Sequence, residues 1–176
     1  MGITIPPDSA TLLISSLSDP TLTGVSTLLH DPYIFTFMLL SLFCLYWLAS
    51  KDTRHVALIS CALFLATFLG LAIKEMAQQP RMCEAYPSKV HCPQDYSFPS
   101  LHAAAAFSIA LCFLRSRAFL PLLAIALLVS LSRIYLGVHT FFDMAGALGV
   151  SLVAYYACLF AWGLLKIKLP KAALAL

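Results

Sequence analysis

SRIYLGVHTFFD, residues 132–143, joins two apolar runs of the chain and sets an arginine, a histidine and a carboxylate at the junction. Charge where one membrane helix ends and the next begins is costly, and such groups are usually functional. His139 and Asp143 are four residues apart. A helix starting near His139 puts both side chains on one face, within reach of each other. A carboxylate beside an imidazole fixes the ring tautomer and raises its basicity. With Arg133 just upstream, the pair suits attack on an anionic centre. A His–Asp contact that only pins a loop is an equal alternative on this stretch alone.

The runs on either side belong to a chain with little polar surface. Of its 176 residues, 61% are hydrophobic and 11% charged, against about 25% charged in ordinary soluble domains. The mean hydropathy is +0.88. These values exclude a water-soluble globule and predict an all-α, polytopic transmembrane helix bundle with residues 1–176 as a single membrane-embedded domain. The net charge of +3 gives no argument for a nucleic-acid partner. No basic segment precedes the first apolar run and no small-residue cleavage site follows it, so no secretory signal peptide is expected.

Five apolar runs are expected as spans: residues 33–50, 56–73, 100–114, 118–132 and 144–165. The third and fourth are short against the ~20 residues a span needs. Ala10–Leu29 is broken by Ser15, Ser16, Ser18, Asp19 and Pro20, so residues 1–32 read as interfacial helices. A distorted first span, giving six in all, is the alternative. Gly146, Gly149 and Ala103–Ala106 read as places of close helix–helix approach. Lys51 and Arg54, Arg115 and Arg117, and Lys166, Lys168 and Lys171 fall on one side of a five-span protein, which the positive-inside rule makes cytoplasmic. Loop 74–98 and the 133–143 turn then face outward, in an extracytoplasmic compartment of a prokaryotic cytoplasmic (inner) membrane. Lys74, Arg81 and Lys89 oppose that orientation unless they bind substrate. Cys83 and Cys92 share the outward loop, where an oxidising compartment favours a disulfide.

Three polar stretches thus meet at one membrane surface: Lys74–Arg81, Pro99–His102 and the opening stretch. Lys74, Arg81 and Arg133, with the helix N-terminus behind Ser100, make an anion site. His102 and His139 supply a nucleophile and an acid. Without a carboxylate cluster, no metal or other cofactor is expected. Singly, Lys74 reads as a snorkelling end group, Ser100 as a cap and Arg133 as a flanking charge; their coincidence on one face favours a site. His30, His55 and His91 read as loop or interface residues.

These residues resemble the type 2 phosphatidic acid phosphatase superfamily of membrane lipid phosphatases, related in site to the vanadium haloperoxidases. The family pattern is Lys-x6-Arg-Pro, Pro-Ser-Gly-His and Ser-Arg-x5-His-x3-Asp. Ser132, Arg133, His139 and Asp143 match the third part in full; Pro99, Ser100 and His102 match the second, with Leu101 in place of glycine. Lys74 and Arg81 match the first, with Met82 in place of proline. The resemblance implies that His139 attacks phosphorus to form a phosphohistidine, oriented by Asp143. It implies that His102 protonates the leaving oxygen and then activates water. Lys74, Arg81, Ser100, the Leu101 backbone N–H and Arg133 would hold the phosphoryl oxygens. The expected substrates are membrane lipid phosphates or diphosphates: a polyprenyl diphosphate, phosphatidylglycerol phosphate, phosphatidic acid or a lipid A phosphate. A lipid phosphotransferase using the same histidine and an inactive lipid-binding or transport protein are the alternatives.

Overall fold

The computed structural model describes residues 5–168, with side chains through residue 164. Lys166, Lys168 and Lys171, three of the charges in the orientation argument, lie outside the described side chains. The described residues form seven α-helices and no strand: α1 (Ser9–Ser16), α2 (Pro20–His30), α3 (Pro32–Ser50), α4 (Thr53–Ala77), α5 (Leu101–Cys112), α6 (Phe119–Tyr135) and α7 (Phe141–Lys168).

Aspartates start the first four helices. Asp8, Asp19, Asp31 and Asp52 each accept hydrogen bonds from backbone N–H groups of the turn that follows. A cap of this kind contributes about 1 kcal/mol, and the prolines at the starts of α2 and α3 are preset for the helix. The Asp19-Pro20 and Asp31-Pro32 pairs therefore cut the N-terminal segment into helices of 8 and 11 residues. Neither has the length to cross a membrane.

Helix α5 is the centre of the bundle and packs on α4, α6 and α7. Ala103–Ala106, Ser108, Ala110 and Leu111 are buried, so this helix is enclosed on all sides. Its alanine run lets backbones come close, and the Ser151 hydroxyl of α7 donates to the Ala104 carbonyl at 2.9 Å. By length and composition α3, α4 and α7 are candidate membrane spans. Helices α5 and α6, with 12 and 17 residues, are apolar but shorter.

Several expectations are corrected. Helix α7 begins at Phe141, close to His139 as the His–Asp spacing requires, and so extends ahead of the apolar run 144–165. Lys74 lies in the last turn of α4, so the loop read as 74–98 begins at Gln78. Gly149 has no neighbour close to where a Cβ would stand, and Gly146 makes room for the ring of Phe98, a loop residue, rather than for a helix. Lys89, one of the charges that oppose the orientation, is bonded within the chain. Its ammonium donates to the carbonyls of Ser15 and Tyr135 at 2.5 and 2.7 Å, at the C-terminal ends of α1 and α6, and lies over the Tyr135 ring. It neutralises two negative helix ends.

Tyr135 also holds the N-terminal helices in place. Its hydroxyl receives the Asp19 N–H at 2.9 Å and meets the Thr23 hydroxyl at 2.8 Å. The loop between α4 and α5 is tied by the Cys83–Cys92 disulfide, with Cα atoms 5.6 Å apart, as the two cysteines in one loop suggested. It is also sewn to the α6–α7 turn by the Lys89 N–H to Leu136 carbonyl bond of 3.0 Å. Gly137 in that turn has a φ of +78°, and a side chain there would meet the Pro87 carbonyl at 3.0 Å.

Candidate active site

The C-terminal ends of α4 and α6 and the N-terminal ends of α5 and α7 meet beneath the long loop, and the polar motif residues lie where they meet. His139 and Asp143 are 2% and 0% exposed. Oδ2 of Asp143 accepts the Thr140 N–H at 2.8 Å and the Ser97 hydroxyl at 2.7 Å, and lies 3.2 Å from Nδ1 of His139. The Asp143 N–H reaches back to the Thr140 hydroxyl at 3.4 Å. Thr140-x-x-Asp143 is therefore a capping box, and the carboxylate that orients the histidine also starts α7.

The tautomer of His139 follows from its neighbours. Nε2 lies 3.0 Å from Nη1 of Arg81, a group that can only donate, so Nε2 accepts and Nδ1 carries the proton. Burial pushes the His139 pKa down to about 3, against the pull of the Asp143 hydrogen bond, with Arg81 and Arg133 adding to the effect of burial. At neutral pH the ring is an uncharged base whose Nε2 lone pair accepts from Arg81.

Those cations already hold an anion from the chain itself. Asp95 places one oxygen 2.6 Å from Nζ of Lys74 and the other 2.6 Å from Nη2 of Arg81. Nε of Arg81 also donates to the Asp95 backbone carbonyl at 2.9 Å, and Nζ of Lys74 to that of Tyr96 at 2.6 Å. Despite partial burial, Lys74 and Arg81 hold the Asp95 pKa down to about 2. Its side chain is half exposed while Lys74 and Arg81 are almost fully covered. The carboxylate sits where water and a ligand can replace it. Three cations and two carboxylates leave one net positive charge; with Asp95 displaced the site carries two, matching a phosphate monoester dianion.

Around this core stand polar atoms with no hydrogen-bond partner among the described residues: Oγ of Ser100, Nε2 of His102, Nε of Arg133 and Oδ1 of Asp143, all buried. Buried polar atoms are nearly always paired, so four together point to a ligand. Ser100 starts α5 without using its hydroxyl as a cap. Leu101, where the family pattern has glycine, turns toward α4; Cδ2 lies 2.7 Å from where a Cβ on Gly70 would stand. Met82, in place of proline, is buried in a 3₁₀ turn whose Glu84 accepts the Arg81 N–H at 3.1 Å. That turn and the disulfide fix the backbone on the C-terminal side of Arg81.

The structure brings Lys74, Arg81, Ser100, His102, Arg133, His139 and Asp143 together, while the Ser132 hydroxyl bonds to the Val129 carbonyl of its own helix, and it adds three. Asp95 and Ser97 lie just before the Pro99–His102 stretch, and the only trace of them in the sequence is that closeness. His30, the last residue of α2, hydrogen-bonds through Nδ1 to Nη1 of Arg133 and lies nearly parallel to the His102 ring, with centroids 6.5 Å apart. His55 is at the far end of the bundle, bonded to Tyr46 and to the Cys112 carbonyl. Phe35 packs on His102, with ring centroids 4.6 Å apart, and opens a cavity of about 820 Å³ lined by apolar residues of α3 to α6. Among the described residues no three His, Cys, Asp or Glu are grouped as a metal set.

Comparison with known proteins agrees with this geometry. The chain is 27% identical over 168 residues to the Escherichia coli K12 protein named "Putative undecaprenyl-diphosphatase YbjG", covering 93% of this chain and 80% of that one. The crystal structure of Aquifex aeolicus LpxE superposes with a TM-score of 0.71 at 24% identity, covering 85% of this chain and 92% of that chain. A PAP2 type phosphatidylglycerolphosphate phosphatase from Bacillus subtilis superposes with a TM-score of 0.69 at 19% identity, over 92% and 84% of the two chains. At such identities the two structures show a shared fold. The PAP2 superfamily profile matches residues 56–166, more than half of the chain and all of the motif residues, and the chain belongs to that superfamily.

Proposed function

We propose that the protein is an integral membrane phosphatase that hydrolyses a lipid phosphate or lipid diphosphate through a phosphohistidine on His139. The observation that carries this reading is the His139 ring. Its Nδ1–H faces Asp143 and its Nε2 lone pair is held by Arg81, which shares Asp95 with Lys74, among four unpartnered polar atoms. An incoming phosphoryl group replaces Asp95 on the two cations and draws Arg81 off Nε2. Nε2 then bonds to phosphorus as the P–O bond to the lipid breaks. His102 takes up a proton with the dianionic substrate and gives it to the leaving oxygen; it then takes one from the water that splits the phosphohistidine. Lys74, Arg81, Arg133, the Ser100 hydroxyl and the Leu101 N–H stabilise the charge on the equatorial oxygens.

The apolar cavity beginning at Phe35 favours a lipid, because it offers the tail a place beside the reacting group. The names of the relatives favour a polyprenyl diphosphate, a lipid A phosphate or phosphatidylglycerol phosphate. The whole chain acts as one membrane domain of five spans, with α5 and α6 lengthened by their flanking residues. Helices α1 and α2 lie in the interface, the loop after α4 is extracytoplasmic, and the active site opens to the outer face. The reaction uses no metal. Release of inorganic phosphate from a panel of lipid phosphates in detergent tests the activity, and acid quenching with a labelled substrate tests for phosphohistidine. Activity that persists in EDTA supports the metal-free mechanism; loss in EDTA restored by a divalent ion overturns it. A folded wild type that releases phosphate from none of the panel overturns the reading.

A further inference from the structure

Arg133 differs from the other two cations of the site. Lys74 and Arg81 share a carboxylate, whereas the hydrogen-bond partner of the Arg133 guanidinium is the ring of His30. Arg133 is 2% exposed and its Nε has no partner among the described residues. A buried guanidinium held by a carboxylate gives up much of its field to that partner. Held by a neutral imidazole, it is aimed but keeps its full charge.

We propose that His30 is a positioning residue of the phosphoryl site: as a neutral acceptor it orients Arg133 without quenching it, leaving that charge for the substrate's phosphoryl group. This rests on the phosphatase reading above. His30 is fixed from both sides. The start of α2 is pinned to α6 through Asp19, Thr23 and Tyr135, two residues beyond Arg133. Its end runs straight into Asp31, which accepts the Tyr33 and Ile34 N–H groups at the start of α3. The ring therefore reaches Arg133 from the N-terminal helices, outside the residues 56–166 that the superfamily profile matches. Burial, Arg133 and Arg81 push the His30 pKa down to about 4, while Asp31 pulls the other way, so the ring is neutral at physiological pH.

The test measures orthovanadate binding to the full-length protein in detergent by calorimetry, in wild type and in His30→Ala, His30→Asn and His30→Asp. Asn keeps a neutral acceptor near the position of Nδ1; Asp supplies a stronger acceptor but a quenching one. The expected order of affinity is wild type, then Asn within about threefold, then Ala about tenfold weaker than wild type, then Asp weakest of all. Asp binding as tightly as Asn overturns the charge argument. Ala and Asn equally weak, or both unchanged, overturn the positioning role while wild-type binding leaves the phosphatase reading standing. A folded wild type that binds no vanadate overturns both.

Discussion

Asp143 does two things with one oxygen, and substitution separates them. Asn at this position keeps an acceptor for the Thr140 N–H and so keeps the start of α7, but removes the charge that stabilises an imidazolium or phosphohistidine. Asp143→Asn is expected to melt within a few degrees of wild type with turnover reduced on the order of a thousandfold; Asp143→Ala loses both stability and turnover. His139→Ala is expected to fold and to form no phosphoenzyme, read by acid quench with labelled substrate. His30 and His139, both with lowered pKa, also set a pH dependence of stability. Between pH 6.5 and about 4 the unfolded chain takes protons that folded His30 and His139 refuse. Stability is therefore full above 6.5 and falls as pH drops toward 4. The groups around them act in both directions: Arg81 and Arg133 against protonation, Asp31 and Asp143 for it. Thermal melts from pH 7 to 4 should show the fall, and His30→Gln should make it shallower. His139 and Asp143 were legible in the sequence because their spacing is one helix turn, and Arg133 because it stands at the junction of two apolar runs. His30 was not, because it arrives from a separate helix and its partner is over a hundred residues away.

At the scale of helices and loops, the small residues explain why an atypical motif still closes. Leu101 occupies space that Gly70 leaves on α4, and Phe98 occupies space that Gly146 leaves on α7. Gly70→Ala is expected to destabilise by about 1–3 kcal/mol through overpacking, and Leu101→Gly in the same chain should restore most of the melting temperature. Gly146→Ala should cost more, because its Cβ would lie 2.1 Å from an atom of the Phe98 ring, itself stacked on Phe142. Phe98 joins Ser97 to the start of α5, so this variant should also bind vanadate less tightly, by calorimetry. The long apolar helices were legible from hydropathy alone. The division of residues 9–30 into two helices was half legible, since Asp19-Pro20 is a cap signal. The partners of Gly70 and Gly146 were not legible, because glycine marks a vacancy without naming what fills it.

For the molecule as a whole, the disulfide and the orientation are tested together. Cys83 and Cys92 of intact cells should react with a membrane-impermeant thiol reagent only after reduction; labelling that requires permeabilised cells reverses the orientation. On a chain-entropy model a bridge closing so short a loop contributes about 2–3 kcal/mol. That loop carries Asp95, and its clasp on Lys74 and Arg81 bears on the end of the catalytic cycle as much as on its beginning. The carboxylate is tethered, so its effective concentration beside the cations is on the order of millimolar or more, whatever the surroundings. Freshly cut inorganic phosphate must hold its place against this built-in competitor, while a substrate has its lipid tail as a second anchor. On the proposed phosphatase reading, the clasp would act as an ejector that discriminates between a tailed and an untailed phosphate. Asp95→Asn should show it as tighter product inhibition, with the inhibition constant for inorganic phosphate falling severalfold while the KM for the lipid falls less. On that reading, the loop would let the enzyme keep turning over in a medium rich in its own product.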